Sequence, residues 1–312
     1  MLRFEFLEAR NLRHAIALTD QHGDDARIVA GTTDFLVRWR QGVWTPKYVI
    51  NIGNVAALKR SSFSARSGLR LGSLVTIREL ETNPVIRQRY PALAAAASAF
   101  AGVQIRNLAT VGGNICNASP AGDTLPALLA FDAQCRIAGP GGERIVPLDQ
   151  FFSGPGRTVL ERGEILVGVV LPPPPKVSGS LYIKHSPRAA MDIATLGVAS
   201  YVALKDRGRV CADVKIVLGA VAPTPIRAYA AEDLLRGQTI TPELLVKVAQ
   251  ATQECASPID DLRGSAAHRK DLAGVLTHRT LEQAIAMAKT GPISFEAQRR
   301  LAVESAVMEA AV

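Results

Sequence analysis

Cysteine is scarce in this chain and nowhere clustered. Cys116, Cys135, Cys211 and Cys255 are the four among 312 residues. They form no C-x-x-C pair and no ladder for an iron–sulfur cluster. The five histidines are equally dispersed, so metal binding by this chain is not expected, and the thiols read as buried or partly buried free cysteines. Aromatics make up only 5% of the residues, so apolar burial must come mainly from Ala, Leu, Val and Ile. No basic block is interleaved with aromatics. The net charge of +8 is scattered along the chain, which reads as a solvated basic surface rather than a nucleic-acid face. The longest near-apolar run, "PALAAAASAFAGV", is interrupted by Ser98 and too short to span a bilayer. The N-terminal "MLRFEFLEARNLRHAIALTDQHG" lacks the apolar core and cleavage site of a signal peptide. A soluble, cytoplasmic protein is expected. The usual nucleotide signatures are missing too: no G-x-G-x-x-G follows a strand, and there is no Walker lysine motif.

What is present is a chain of ordinary globular composition, 48% hydrophobic and 21% charged, long enough for two or three compact units. "NLRHAIALTDQHG" has helical periodicity and stops at Gly23. "ARIVAG" and "PKYVINI" read as short strands around the helix "FLVRWRQG", a small βαβ-like unit over residues 1–55. Residues 56–175 hold the strand of "LRLGSLVTIREL", the Ala-rich helix "PALAAAASAFAG", the hairpin "CRIAGPGGERIVPL" and the strand "EILVGVVLP". The run "PPPPK", Pro172 to Lys176, is the clearest break, since consecutive prolines continue neither a helix nor a central strand. Residues 176–290 read as three antiparallel strands, "LYIKHS", "TLGVASYVAL" and "RVCADVKIVLGAV", followed by helices, one capped by Thr241 with Pro242 at its first position. Residues 291–312 read as a tail. The fold class expected is α+β.

Two stretches carry chemistry. In "LATVGGNICNASPAGDTLPALL", Leu108 to Leu129, small and polar residues crowd between apolar segments. Glycines let backbone N–H groups approach a ligand, successive N–H groups make an anion nest, and Asn114 and Asn117 offer donors and acceptors. Asp123 can accept from the hydroxyls of a sugar or sugar alcohol. The plainer reading makes Gly112–Gly113 a tight turn and Asp123 a helix cap. The second stretch, "VAGTTDFLV", is a strand, a turn and a helix start, either an ordinary connection with Thr33 or Asp34 as cap or a second phosphate-type loop. Two such loops could close on one pyrophosphate.

The segments "VAGTTDFLV", "FAGVQIRNLATVGGNICNASPAGDTLPALLA", "EILVGVVLP" and "YIKHSPRAAMDIATLGVA" stand in the order and spacing of a known family. The chain resembles the FAD-binding medium subunit of molybdenum hydroxylases, the xanthine dehydrogenase and carbon monoxide dehydrogenase family, over nearly its whole length. The resemblance implies a two-part PCMH-type FAD-binding domain, a small α/β unit plus a mixed α+β unit, then a C-terminal antiparallel three-stranded sheet with helices. It implies a first pyrophosphate loop of Val29, Ala30, Gly31, Thr32, Thr33, Asp34, Phe35 and Leu36, and a second of Thr110, Val111, Gly112, Gly113 and Asn114. Asn117, with its donor and acceptor in the same stretch, is read as a further cofactor-binding residue. Phe100 would lie near the cofactor, Asp123 would bind its hydroxyls, Leu166 or its neighbour Ile165 would lie by the isoalloxazine ring, Lys184 would sit close, and Ile193 would occupy a flavin-face position that is Tyr in the carbon monoxide dehydrogenase branch. Many relatives carry Gly-Gly where this chain has Gly31–Thr32, so Thr32 fits if its backbone avoids positive φ. The cysteine-bearing insertion of the 4-hydroxybenzoyl-CoA reductase branch is absent.

In such a complex no substrate-oxidising residue lies on this chain. The resemblance implies a large partner with the molybdenum cofactor and a small partner with two 2Fe-2S clusters. Electrons would pass from those clusters to FAD here and on to NAD, a quinone or oxygen. The rival readings are a self-contained FAD-dependent oxidoreductase, which should show an acid–base pair or covalent flavin link, and a flavin-free assembly module.

Overall fold

A computed structural model describes residues 3–188 and 190–301. The chain opens with an alternation: β1 (Glu5–Glu8), α1 (Leu12–His22), β2 (Ala26–Val29), α2 (Phe35–Arg40) and β3 (Tyr48–Asn51). β1 and β2 both run parallel to β3, in the order β1-β3-β2. Asn11 caps α1 by accepting from the His14 amide, and Gly23 ends it at φ 48°. β1 is one of the strands that local pattern did not mark. It is four residues long, mostly exposed and carries two glutamates, a poor strand composition rescued by pairing with β3.

β4 (Ser61–Ser64) and β5 (Gly68–Gly72) follow as a hairpin. Then come short helices: α3 (Ile77–Thr82), α4 (Pro84–Arg89), α5 (Pro91–Ala99), α6 (Val103–Leu108), α7 (Val111–Asn117) and α8 (Thr124–Ala130). The Gly-Gly-Asn stretch is therefore not the loop it resembles by composition. Gly112 and Gly113 lie inside α7, and neither has a positive φ. Gly-Gly-Asn has low helix propensity. Here a cap and tertiary bonds override it: Thr110 Oγ1 caps the helix by accepting from the Gly113 amide, and the Val111 and Gly112 amides donate to the carbonyls of Val75 and Ser73.

β6 (Gln134–Gly139) and β7 (Gly142–Pro147) form the expected hairpin, β8 (Phe152–Gly154) and β9 (Arg157–Thr158) a small ribbon, and β10 (Ile165–Leu171) completes an antiparallel sheet of order β4-β5-β10-β6-β7. After the proline run come β11 (Ser178–His185), β12 (Leu196–Lys205), β13 (Val210–Gly219), β14 (Ile226–Arg227), α9 (Tyr229–Leu235), α10 (Pro242–Cys255) and α11 (Ala266–Thr290).

These elements form two compact units. The first takes the chain up to Glu79, Val103–Ala118 and Ala133–Pro172; the second takes Leu80–Gly102, Ser119–Asp132 and the chain from Pro173 onward. The first unit contains the parallel and the five-stranded sheets. Its core gathers Ile50, Ile52, Val55, Leu58, Leu74, Ala138, Ile165 and Val167. A smaller cluster of Val29, Phe35 and Val49 with Phe4, Trp39 and Trp44 holds α2. The second unit is built on the antiparallel sheet β11-β12-β13-β14. The fourth strand, beyond the three expected, is the two-residue β14. Thr241 caps α10 with Pro242 at its first turn, and Ser265 caps α11. Gly179 lets α11 lie directly on β11, since a Cβ there would be 2.1 Å from the Ala284 carbonyl oxygen. Residues 295–301 are helical; the rest of the expected tail, 302–312, lies outside the described residues.

Candidate functional site

Within the first unit the two expected phosphate-type segments meet. Val29 ends β2 in the core, and the chain turns at Gly31, where a Cβ would lie 1.8 Å from the Leu108 carbonyl oxygen. Only glycine permits that approach. Thr32 then takes φ 59°, inside the left-handed region. For a β-branched residue this costs about 1–2 kcal/mol, so the departure from Gly-Gly does place strain in the loop. The amides of Gly31, Thr32, Thr33, Asp34 and Phe35 donate to no protein acceptor among the described residues. Apart from Phe35, whose ring is buried and anchors the segment, these residues are half-buried or exposed. Consecutive unpaired amides around a left-handed residue form a concave donor set suited to a diphosphate.

The second segment contributes differently. The amides of Val111, Gly112, Gly113 and Asn114 are all taken, by Val75 O, Ser73 O, Thr110 Oγ1 and Thr110 O. Gly112 is buried, and a Cβ there would come 2.5 Å from Ser73 Cβ, so its glycine is required by packing. Gly113 is exposed, and a Cβ would meet only Thr110 Oγ1, at 3.0 Å. Its face is bare backbone open to an approaching ligand. Asn114 is buried. Asn117 reaches the first segment: its Nδ2 donates to Asp34 Oδ1 at 3.1 Å, and its Oδ1 accepts from Arg38 Nη2 at 3.2 Å. The Arg38 guanidinium also lies 4.7 Å from the centre of the Trp44 ring. Asp34 is an exposed residue overall, yet its carboxyl is crowded enough that desolvation raises its pKa, against the Arg38 charge and the Thr33 hydroxyl. Leu166 is buried in β10, opposite Ile137 and just before the bulge that precedes Gly168.

Phe100, Asp123, Lys184 and Ile193 belong to the second unit. Asp123 stands at the start of α8 but makes no capping bond. Its Oδ1 accepts from the Tyr182 hydroxyl at 3.1 Å and its Oδ2 from Lys184 Nζ at 2.9 Å, with all three side chains buried. Lys184 Nζ also donates to the carbonyls of Ala99, at 3.2 Å, and Asp192, at 2.7 Å, which saturates the ammonium. Burial and the adjoining Asp123 charge drive the Tyr182 hydroxyl pKa well above its usual value. Phe100 follows α5 and is half-buried; Ile193 is 50% exposed. Two participants escape sequence reasoning, Arg38 and Tyr182. Arg38 was findable, because it follows Asp34 by four residues and so shares its helical face. Tyr182 alternates with Lys184 along β11, the spacing that puts both on one face of a strand.

Among the described residues no His, Cys, Asp and Glu side chains gather into a metal site, and the four cysteines are free. No described helix is long and apolar enough to cross a membrane.

Residues 2–174 match the family described as the FAD binding domain in molybdopterin dehydrogenase, and residues 182–284 match the CO dehydrogenase flavoprotein C-terminal domain. The chain is 36% identical over 264 residues to a putative xanthine dehydrogenase FAD-binding subunit of Escherichia coli (strain K12), covering 84% of this chain and 90% of that one. It is 32% identical to the carbon monoxide dehydrogenase medium chain of Hydrogenophaga pseudoflava, covering 90% and 97%. Among solved structures, carbon monoxide dehydrogenase from Hydrogenophaga pseudoflava, in a form lacking the Mo-pyranopterin moiety of its cofactor, superposes with a TM-score of 0.87 at 32% identity, over 91% of this chain and 98% of that one.

Proposed function

The chain belongs to the family of FAD-binding domains of molybdopterin dehydrogenases, joined to a CO dehydrogenase-type flavoprotein C-terminal domain, and on that premise we propose that it is the FAD-carrying electron-transfer subunit of a molybdenum hydroxylase complex. The observation that carries the reading is the row of amides from Gly31 to Phe35, unpaired among the described residues, together with the bare surface of Gly113 in the segment that Asn117 ties to it. It offers a diphosphate N–H donors with no side chain in the way at Gly113. Bound FAD supplies the redox chemistry, accepting and passing on electrons. The residues of the chain bind and orient it. Val29, Ala30 and Leu36 shape the first segment, and its amides take the pyrophosphate. Thr110, Val111, Gly112 and Asn114 build the wall behind Gly113, and Leu166 is assigned to the ring end. Phe100, Asp123, Lys184 and Ile193 keep the roles that the resemblance implies, as assignments for the same binding measurement to test.

The partners proposed are a large subunit with the molybdenum cofactor and a small subunit with two 2Fe-2S clusters, in the cytoplasm, with NAD, a quinone or oxygen as final acceptor. The test is direct. Purified protein reconstituted with FAD should hold one flavin per chain, non-covalently, and release FAD rather than FMN on acid treatment. Protein that stays colourless, or releases FMN, overturns the proposal. Purification from the native source should bring along molybdenum and iron on separate chains.

A further inference from the structure

The five unpaired amides of the first segment lie between two tie points. At one end Gly31 rests on the Leu108 carbonyl; at the other Asp34 and Arg38 are bound by one side chain, Asn117. Resting on the FAD reading above, we infer that Asn117 is a positioning residue: it holds the two cofactor segments at a fixed spacing through Asp34 and Arg38, and does not itself bind FAD.

Asn117 is the last residue of α7, immediately before Ala118, which turns the chain off at φ 46°. An amide side chain carries an acceptor and a donor on one planar group. Here each is engaged by a partner of the opposite demand. The carboxylate of Asp34 takes an N–H, and the guanidinium of Arg38 gives one to the oxygen. Both bonds are charge-assisted, the stronger class. Asp34 and Arg38 are four residues apart across the start of α2, so they present one face, and a single Asn grips that face twice. No other residue type of this size fits both ends. Asp would keep the Arg38 bond but set two carboxylates against each other, and Ala would lose both bonds. The second grip on Arg38, its cation–π contact with Trp44, keeps the guanidinium from swinging away. The clamp is thus complete without any ligand, and the donor row is pre-organised for the anion rather than assembled by it.

The chain supplies its own reporter. Its two tryptophans, Trp39 and Trp44, both pack in the cluster that holds α2. In a Trp39→Phe background, emission from Trp44 reads the position of Arg38. The experiment uses full-length apo-protein carrying Trp39→Phe, with Asn117→Ala, Asn117→Asp, Arg38→Ala and the Asn117→Ala/Arg38→Ala pair. Trp44 emission and the urea midpoint of apo-protein are measured, and FAD affinity by titration. Expected are a changed Trp44 emission in Asn117→Ala, a loss of FAD affinity of about tenfold in both Asn117→Ala and Asn117→Asp, and a double variant that loses no more than its worse single. Unchanged Trp44 emission in Asn117→Ala overturns the clamp. So do FAD losses that add in the double variant, which would place Asn117 in direct contact with the cofactor. Wild-type protein that binds no FAD would refute the proposed function, while the apo emission still decides whether the clamp exists.

Discussion

Gly31 lies against the backbone of Leu108, with the position of its absent β-carbon 1.8 Å from the carbonyl oxygen and 2.5 Å from the carbonyl carbon. Neither atom can move like the end of a flexible side chain. Gly31→Ala should therefore separate the two segments. The expected cost is about 2–3 kcal/mol of apo stability, as for other overpacked sites, together with a large loss of FAD affinity. Urea unfolding and FAD titration check this. A variant matching wild type in both would show that the segments are not in contact.

Thr32 makes the opposite prediction. Its left-handed backbone, φ 59°, is strained for a β-branched residue. Thr32→Gly should relieve about 1–2 kcal/mol of strain and return about 0.4–1 kcal/mol through the freer unfolded chain. The net expectation is apo-protein stabilised by about 0.5–1 kcal/mol, read from the shift in urea midpoint. A destabilised Thr32→Gly protein would count against that backbone conformation.

Adjacent glycines in α7 should behave differently. Gly112→Ala pushes a methyl group into Ser73, with Cβ 2.5 Å from Cβ and 2.8 Å from the carbonyl oxygen, so apo-protein should lose stability. Gly113→Ala meets only the cap oxygen of Thr110, and the gain in helix propensity, about 0.5–1 kcal/mol, offsets that crowding. Its apo stability should stay near wild type while FAD affinity falls, because the new methyl stands on the face proposed for the ligand. Comparing apo unfolding with FAD titration separates the two, since bound ligand itself raises apparent stability. Equal affinity in Gly113→Ala and wild type would remove Gly113 from the site.

The pair Asp123–Lys184 is buried on both sides, its side chains 9% and 7% exposed. Lys184→Met strands the Asp123 carboxylate with only Tyr182 as partner. The expected loss is about 3–5 kcal/mol. Adding Asp123→Asn should recover part of it, because the uncompensated charge is then gone. If the double variant is as unstable as the sum of the singles, the two residues do not act as a pair.

Arg144 grips Glu164 with a two-pronged contact, Nε to Oε1 at 2.6 Å and Nη2 to Oε2 at 2.7 Å. That hydrogen bonding, with help from the Glu161 amide, holds the Glu164 carboxyl below its ordinary 4.5. A lowered folded pKa means stability that is fully present above pH 4.5 and lost as pH falls through the folded value. Wild type should thus exceed Glu164→Gln in urea midpoint at pH 7, and the gap should close below about pH 4.5. A gap that stays constant down to pH 3 would show that the pair contributes nothing through ionisation.

Local chemistry sets much of this molecule. The proline run ends one element and precedes the next, Thr241–Pro242 starts α10, Gly23 stops α1, and the early alternation of helix and strand gives a parallel sheet. Each depends on residues within a turn or two, so each is visible as a string of letters. The segments matching the family are equally plain, because residue types at fixed spacing survive in any linear reading. Tertiary structure alone decided the rest. Gly112 and Gly113 are the same letter twice, and only the place where Ser73 packs makes one a structural necessity and the other an open surface. Gly-Gly-Asn becomes helix because Ser73 and Val75 take its first amides. Asp123 forgoes its cap because Lys184 and Tyr182, remote in the chain, reach it first. The physical reason is the same throughout. Propensity and capping are energies of about 1 kcal/mol within one turn of chain, whereas a buried ion pair, or a backbone approach too close for a β-carbon, involves several kcal/mol and exists only after distant segments have packed.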